Sequence, residues 1–424
     1  MKRFIIFFIA GVLIGKTAFA QGWEQQISPT ANTLNALVFV DSSYGWAVGD
    51  SGTIIHTTDG GGTWTLQISG ASSQLSDVVF VDANHGWAVG GADTVLHTTD
   101  GGGTWTIQIS DSGSYLSGVD FVDANQGWAV GGDGSVCTIV HTTNGGETWL
   151  TQTSDTTSYY LGDVTFVDGS NGWAVGIDHY GYGNIVHTTD GGNTWTQQMS
   201  GTWLPLYDVD FVDMTNGWAV GGKCSWVPPH DIVCENVILH TTDGGSTWTI
   251  QTSGTMEPLQ GVDFVDASNG WAVGREILHT TDGGGTWAVQ TIETDGYLYD
   301  VDFVDANNGW AVGWPGVILH TTDGGGMWVK SGANTMPTEF ALLQNYPNPF
   351  NATTTIAYDL PRAGHISLRM FDLLGREVAV LKDGFVEAGT HRVMFDGSGL
   401  ASGIYFARLE TAVFSQTKKM ILLK

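Results

Sequence analysis

Short apolar runs, separated by Gly, Asn and Asp, follow one another along most of the chain. One stretch shows their order. LSDVVFVD (75–82) is a β-rich apolar run, and GWAVGG (86–91) follows the turn ANH. TVLHTTD (94–100) is a third run, and TWTIQIS (104–110) alternates as a half-exposed strand does. No long segment between residues 21 and 335 has helical period. Each unit therefore predicts four strands, a to d.

The unit returns seven times. Its FVD…GWAVG motif starts at Phe39, Phe80, Phe121, Phe166, Phe211, Phe264 and Phe303, at intervals of 41, 41, 45, 45, 53 and 39 residues. That period suits four-stranded blades, and a lone blade cannot bury both of its faces, so the copies must stack. The expectation is an all-β chain: a seven-bladed β-propeller over 21–335, then a small C-terminal β-sandwich of immunoglobulin-like type over 341–424. Ring closure is open, because GWEQQISPT (22–30) and MWVKSGAN (327–334) each read as strand d of the last blade.

HTTDGGGTW stands at 56–64, 97–105 and 279–287, and returns with small changes at 141, 187, 240 and 320. The core is Ser/Thr-x-Asp-x-Gly-x-Thr-Trp, with Asp59, Asp100, Asn144, Asp190, Asp243, Asp282 and Asp323 at the central position. An Asp there accepts hydrogen bonds from its own turn, Gly supplies positive φ, and Trp fills the gap between elements. Catalysis needs one site rather than seven equal ones, so the motif reads as structure. Asn144 can still cap a turn, and Met327 replaces Thr in the seventh copy. The seven histidines before the boxes, His56 to His320, and the fourteen repeat tryptophans read as core for the same reason.

The two turn types a–b and c–d share one face and are nearly uniform. The copies diverge on the other face, in IDHYGYGN (177–184) and GKCSWVPPHDIVCEN (222–236). Candidate ligand-binding residues there are Tyr160, Tyr180, Trp203, Tyr207, Trp226, Tyr297, Tyr299 and Trp314, with Asp178, Asp208, Asp231, Asp295 and Asp300 beside them. Such a set suits stacking on sugar rings or gripping a peptide.

Charge narrows the partners. Residues 21–335 hold 35 acids against Lys223, Arg275 and Lys330, whereas the tail has eight acids and nine bases. So acidic a surface repels phosphate backbones and anionic lipid, which argues against nucleic acid. Met1–Ala20, with Lys2-Arg3, an apolar run and Ala18-Phe19-Ala20, reads as a secretory signal peptide. No later stretch is apolar enough for a transmembrane helix. In an oxidising compartment Cys224 and Cys234 are expected to staple their insertion as a disulfide, leaving Cys137 odd. No metal site or cofactor is read from the spacing; calcium on the acidic loops is left open, and the propeller is taken as a monomer.

The nine-residue motif resembles the Asp-box, or BNR repeat. Sialidases of that type hold a carboxylate with three arginines, and the propeller has one, Arg275, so that activity is not implied. The unit FVDANNGWAVG…ILHTTDGGGTW is similar to the photosystem II stability and assembly factor family, which implies a non-enzymatic scaffold that binds protein. Members serving photosystem assembly use a basic patch that this chain lacks. The tail resembles the type A C-terminal sorting domain of the type IX secretion system. The resemblance rests on Asn345-Tyr346-Pro347-Asn348-Pro349-Phe350-Asn351, on Asp372-Leu373-Leu374-Gly375-Arg376-Glu377-Val378, on Gly389-Thr390 and Ser402-Gly403-Ile404-Tyr405-Phe406, and on Lys418-Lys419-Met420. It implies handling by that machinery, tail removal near residue 335, and delivery to the cell surface or medium. The reading is a secreted or outer-membrane-surface binding propeller, its ligand a glycan or a protein. The alternative is a polysaccharide-acting glycoside hydrolase or lyase.

Overall fold

The computed structural model describes residues 22–109, 113–133, 137–152, 158–227, 231–290, 292, 294, 296–326, 340–342, 353–386 and 389–423. The expected signal peptide, MWVKSGAN, the cleavage region and Asn345–Asn351 lie outside them. The chain divides into two compact units, one ending at Gly332 and one starting at Ala333.

The first unit is seven four-stranded antiparallel sheets. In blade one the strands are Leu34–Phe39, Gly45–Gly49, Thr53–Thr57 and Thr65–Gln67, called a to d. Strand b, GWAVG, is buried along its whole length, because sheets cover both of its faces. Strand d is short and mostly exposed at the rim. The other six a strands are Leu75–Phe80, Tyr115–Phe121, Ser158–Phe166, Leu206–Phe211, Leu259–Phe264 and Tyr297–Phe303. Each packs beside the next, and the last packs beside the first, so the a strands line the axis of a closed ring.

Aromatic rings join the blades. The indole of Trp46 lies between His56 of its own blade, at 4.7 Å between ring centroids, and Phe80 of the next, at 3.6 Å. The arrangement repeats round the ring, and Trp310 of blade seven stacks on Phe39 of blade one at 3.5 Å. A Cβ on Gly45 would collide with the Phe39 ring, so this strand position needs glycine.

The boxes are inter-blade clasps as well as turns. Thr57 Oγ1 and the Thr63 N–H donate to Asp59 Oδ1 at 2.9 and 2.8 Å, and the Gly61 N–H donates to Thr57 Oγ1 at 2.8 Å. Asn144 Oδ1 takes the same two bonds at 2.9 and 3.0 Å. The carbonyl of Gly101, in the second box, accepts from Trp46 Nε1 and Gln67 Nε2 of the blade before it, both at 3.0 Å. Gln67 Oε1 in turn accepts from Trp105 Nε1 at 3.0 Å.

The N-terminal segment closes the ring. Glu24–Gln25 pairs with Val317–Thr321 and is strand d of blade seven. Trp23 Nε1 donates to Gln290 Oε1 at 2.7 Å, the bond that Trp64, Trp105, Trp195, Trp248 and Trp287 of other boxes make to a glutamine of the blade before, and the Gly22 N–H donates to Asp323 Oδ2 at 3.3 Å. The seventh box is thus built from both ends of the repeat array. Gly22 and Trp23 take the places that Thr63 and Trp64 hold in the first box, and Met327, read as a drifted member of the seventh box, lies outside the described residues.

The second unit is two facing sheets. One contains Ala341–Leu342, Thr353–Leu360 and Gly389–Asp396; the other contains Gly364–Asp372, Glu377–Val386, Gly403–Thr411 and Ser415–Leu422. Ile356, Tyr358 and Leu360 meet Leu368, Met370, Leu409 and Met420 in a β-sandwich core. Lys418 and Lys419 lie on the edge strand Ser415–Leu422. Asp372 Oδ1 accepts the N–H groups of Leu374 and Arg376 at 2.9 Å and so fixes the turn.

Candidate ligand-binding face and axial channel

The two ends of the ring differ. At the box end, the Gly60 N–H donates to the Ser43 carbonyl, joining c–d turn to a–b turn, and six further copies do likewise. At the other end, blades four to seven carry the expected aromatic groups, in two clusters.

The first cluster spans blades four and five. Asp178 Oδ1 accepts the N–H groups of Tyr180 and Tyr182 at 2.8 and 2.9 Å, which fixes a turn showing both rings to solvent; Tyr180 is 78% exposed. Gly183, next in the chain, abuts Thr202 and Leu204, the neighbours of Trp203, itself 68% exposed.

The second cluster spans blades five to seven. The insertion of blade five is a long hairpin, Gly217–Val227 with Asp231–Thr241, rather than an irregular loop. Cys224 and Cys234 face each other across it and form a disulfide. Trp226 beyond that bond is 63% exposed. These sulfurs and the Glu257 carboxylate lie within 4.8 Å of one another, but a disulfide offers no thiolate to a metal. Tyr207 Oη donates to the Gly222 carbonyl at the hairpin base at 2.7 Å. Tyr297 Oη donates to the Pro258 carbonyl at 3.1 Å, its ring lies 5.4 Å from Tyr299, and its Cα faces that of Trp314 across the strand pair.

Several residues differ in position from the expectation. Tyr160, Tyr207, Tyr297 and Tyr299 lie on strand a, not in loops, and are half-buried. Tyr160 Oη bonds Ser117 Oγ of the preceding blade. Asp208 and Asp300 also belong to strand a, and they line the axis rather than a loop. Asp295 and the Asp231 side chain lie outside the described residues.

The axis is the feature that sequence reading missed. A bulge after the first Leu of strand a recurs in all seven blades. Two levels of carboxylates result: Asp77, Asp163, Asp208 and Asp300 toward the loop face, and Asp120, Asp210, Asp263 and Asp302 toward the box face. Most reach the backbone of the next blade. Asp77 Oδ2 accepts the Val119 N–H at 2.7 Å, Asp210 Oδ2 the Phe264 N–H at 2.8 Å, and Asp302 Oδ2 the Phe39 N–H at 2.8 Å. The side chains are half-buried by area, yet the channel encloses them on every side. Burial pushes Asp77, Asp210 and Asp302 up to about 7 and Asp120 up to about 6. Burial and then mutual repulsion hold Asp163, Asp263 and Asp300 well above the usual carboxylate range. Asp208, also raised by burial, hydrogen-bonds Asp163. The box-motif histidines are shifted the other way by burial, His279 to about 4, which keeps the stacked imidazoles neutral.

The model of the family described as photosynthesis system II assembly factor YCF48 matches residues 16–107, 65–156, 106–205 and 249–348. The model described as secretion system C-terminal sorting domain matches residues 344–423. Among solved structures, YCF48 bound to D1 peptide is 20% identical, with a TM-score of 0.58, over 72% of this chain and 98% of that one. YCF48 from Cyanidioschyzon merolae is 22% identical, with a TM-score of 0.56, over 71% and 98%. The WD40 propeller domain of Doa1 is 12% identical, with a TM-score of 0.53, over 71% and 97%. No curated protein sequence matches.

Proposed function

The chain belongs to the photosynthesis system II assembly factor YCF48 family, and from that premise we propose that it is an exported binding propeller whose ligand docks on the loop face of blades four to seven. The sorting domain implies type IX export to the medium or the outer-membrane surface. The observation that carries the binding role is the exposure of Tyr180, Trp203, Trp226 and Trp314 at one end of the ring, while the other end repeats one turn sevenfold. Exposed aromatic groups rimmed by polar loops mark interaction surfaces. The ligand is a protein segment or a glycan. The YCF48 structure with a bound peptide favours the first, and the aromatic rings suit either.

Retention of the purified chain on a polysaccharide panel, and on surface extracts of the producing cell, tests this reading. Trp203→Ala and Trp226→Ala should each weaken retention at least tenfold with the melting temperature unchanged. Undiminished retention of both variants would place the ligand elsewhere. New reducing ends in the same tubes would instead make the protein a polysaccharide-cleaving enzyme.

A further inference from the structure

We propose that the eight aspartates of the axial channel form a proton-held clasp, which closes the ring when its carboxyls carry protons and loosens it when they ionise. The geometry supports this in three ways. The carboxylates converge from six blades on one enclosed axis. No basic residue stands on any of the seven a strands, and the Gly-Trp-Ala-Val-Gly stretches packed behind them hold no titratable group. The groups nearest the mouth are the hydroxyls of Tyr160, Tyr207 and Tyr297, which burial holds protonated, and Lys223 and Arg275 lie beyond strand a in the b strand of blade five and the b–c turn of blade six. Negative charge in the channel therefore meets backbone N–H groups but no cationic side chain of the strands that line it, among the described residues.

Each carboxyl can serve as an acceptor for the neighbouring blade while its other oxygen keeps a proton; the direct bond between Asp163 and Asp208 fits one proton held between two acids. Six of the seven blade boundaries carry at least one such bond from aspartate to the next backbone, from Asp77 to Val119 through to Asp302 to Phe39. Between blades one and two, Asn35 Nδ2 donates to the Leu75 carbonyl instead. Ionisation would set like charges against one another across the ring, and those bonds would have to carry the repulsion.

The sign follows from linkage. Carboxyls that hold protons more tightly when folded stabilise the fold at low pH, and that contribution is lost as pH rises through their folded values, near 7 for Asp77, Asp210 and Asp302. The test compares the full chain with Asp77→Asn/Asp210→Asn/Asp302→Asn by potentiometric titration from pH 8 to pH 5. The variant should take up about three fewer protons per chain. It should also melt higher than the wild type at pH 8, with the gap closing by pH 5, because an amide replaces a buried charge. Coincident titration curves, or a variant equally destabilised at both pH values, would overturn the proposal. Should the triple variant fail to fold, carboxyl carbon-13 titration of the wild type decides: midpoints below pH 5 for these three residues would overturn it, and midpoints above pH 6 would sustain it.

Discussion

At the scale of single residues, the repeated side chains act across blade boundaries more than within them. Trp218 is fully buried, lies 3.5 Å from the Phe264 ring and donates to the Gly283 carbonyl at 3.2 Å. Trp218→Ala should cost roughly 3–5 kcal/mol, chiefly from lost packing, since Gln251 Nε2 still donates to the Gly283 carbonyl, and this is read as a fall in the urea midpoint. His279 gives a pH signature of opposite sign to the channel. Its folded value is depressed, so the unfolded chain binds the extra proton, and stability is lost as pH falls from about 6.5 toward about 4. His279→Phe should lessen that acid-side loss in melting curves taken at pH 4, 5 and 6.5. The core role of these histidines was readable from repetition alone. The channel was not readable: in Leu206-Tyr207-Asp208-Val209-Asp210 the bulge turns two successive side chains toward the axis, and strict alternation hides that.

At the scale of elements, strand order and blade number followed from the period, because four short runs per unit admit few other arrangements. Which segment closes the ring did not follow, since two segments carry the same strand-d pattern and only pairing partners distinguish them. The answer has a measurable consequence. Removal of residues 22–26 deletes the edge strand of blade seven, the Trp23 indole, and the Gln26 amide that donates to the Gly60 carbonyl at 3.0 Å. The melting temperature should drop by more than about 10 °C, and the transition should lose its single-step character by circular dichroism. The aromatic loop face was half legible. Tyr180, Trp203, Trp226 and Trp314 are exposed, whereas Tyr160, Tyr207, Tyr297 and Tyr299 belong to the ends of inner strands, where a run of apolar and polar residues gives no sign of where a loop stops and a strand starts.

At the scale of the molecule, an acidic ring and a near-neutral sandwich share one chain but carry separate tasks. Deleting residues 341–424 should leave the propeller folded in the periplasm; cell fractionation showing normal surface levels of the truncated chain would disprove the export role of the tail. The halved seventh box bears on how such a chain changes over generations. Because the first residues of the array supply the outer strand and a box tryptophan to its last blade, duplicating or losing one internal repeat leaves both ends complementary. Recombination between near-identical copies that added or removed a whole blade would therefore need no new joint at the closure. A fragment broken at any interior point keeps at most one of the two ends, so it leaves a sheet edge unpaired.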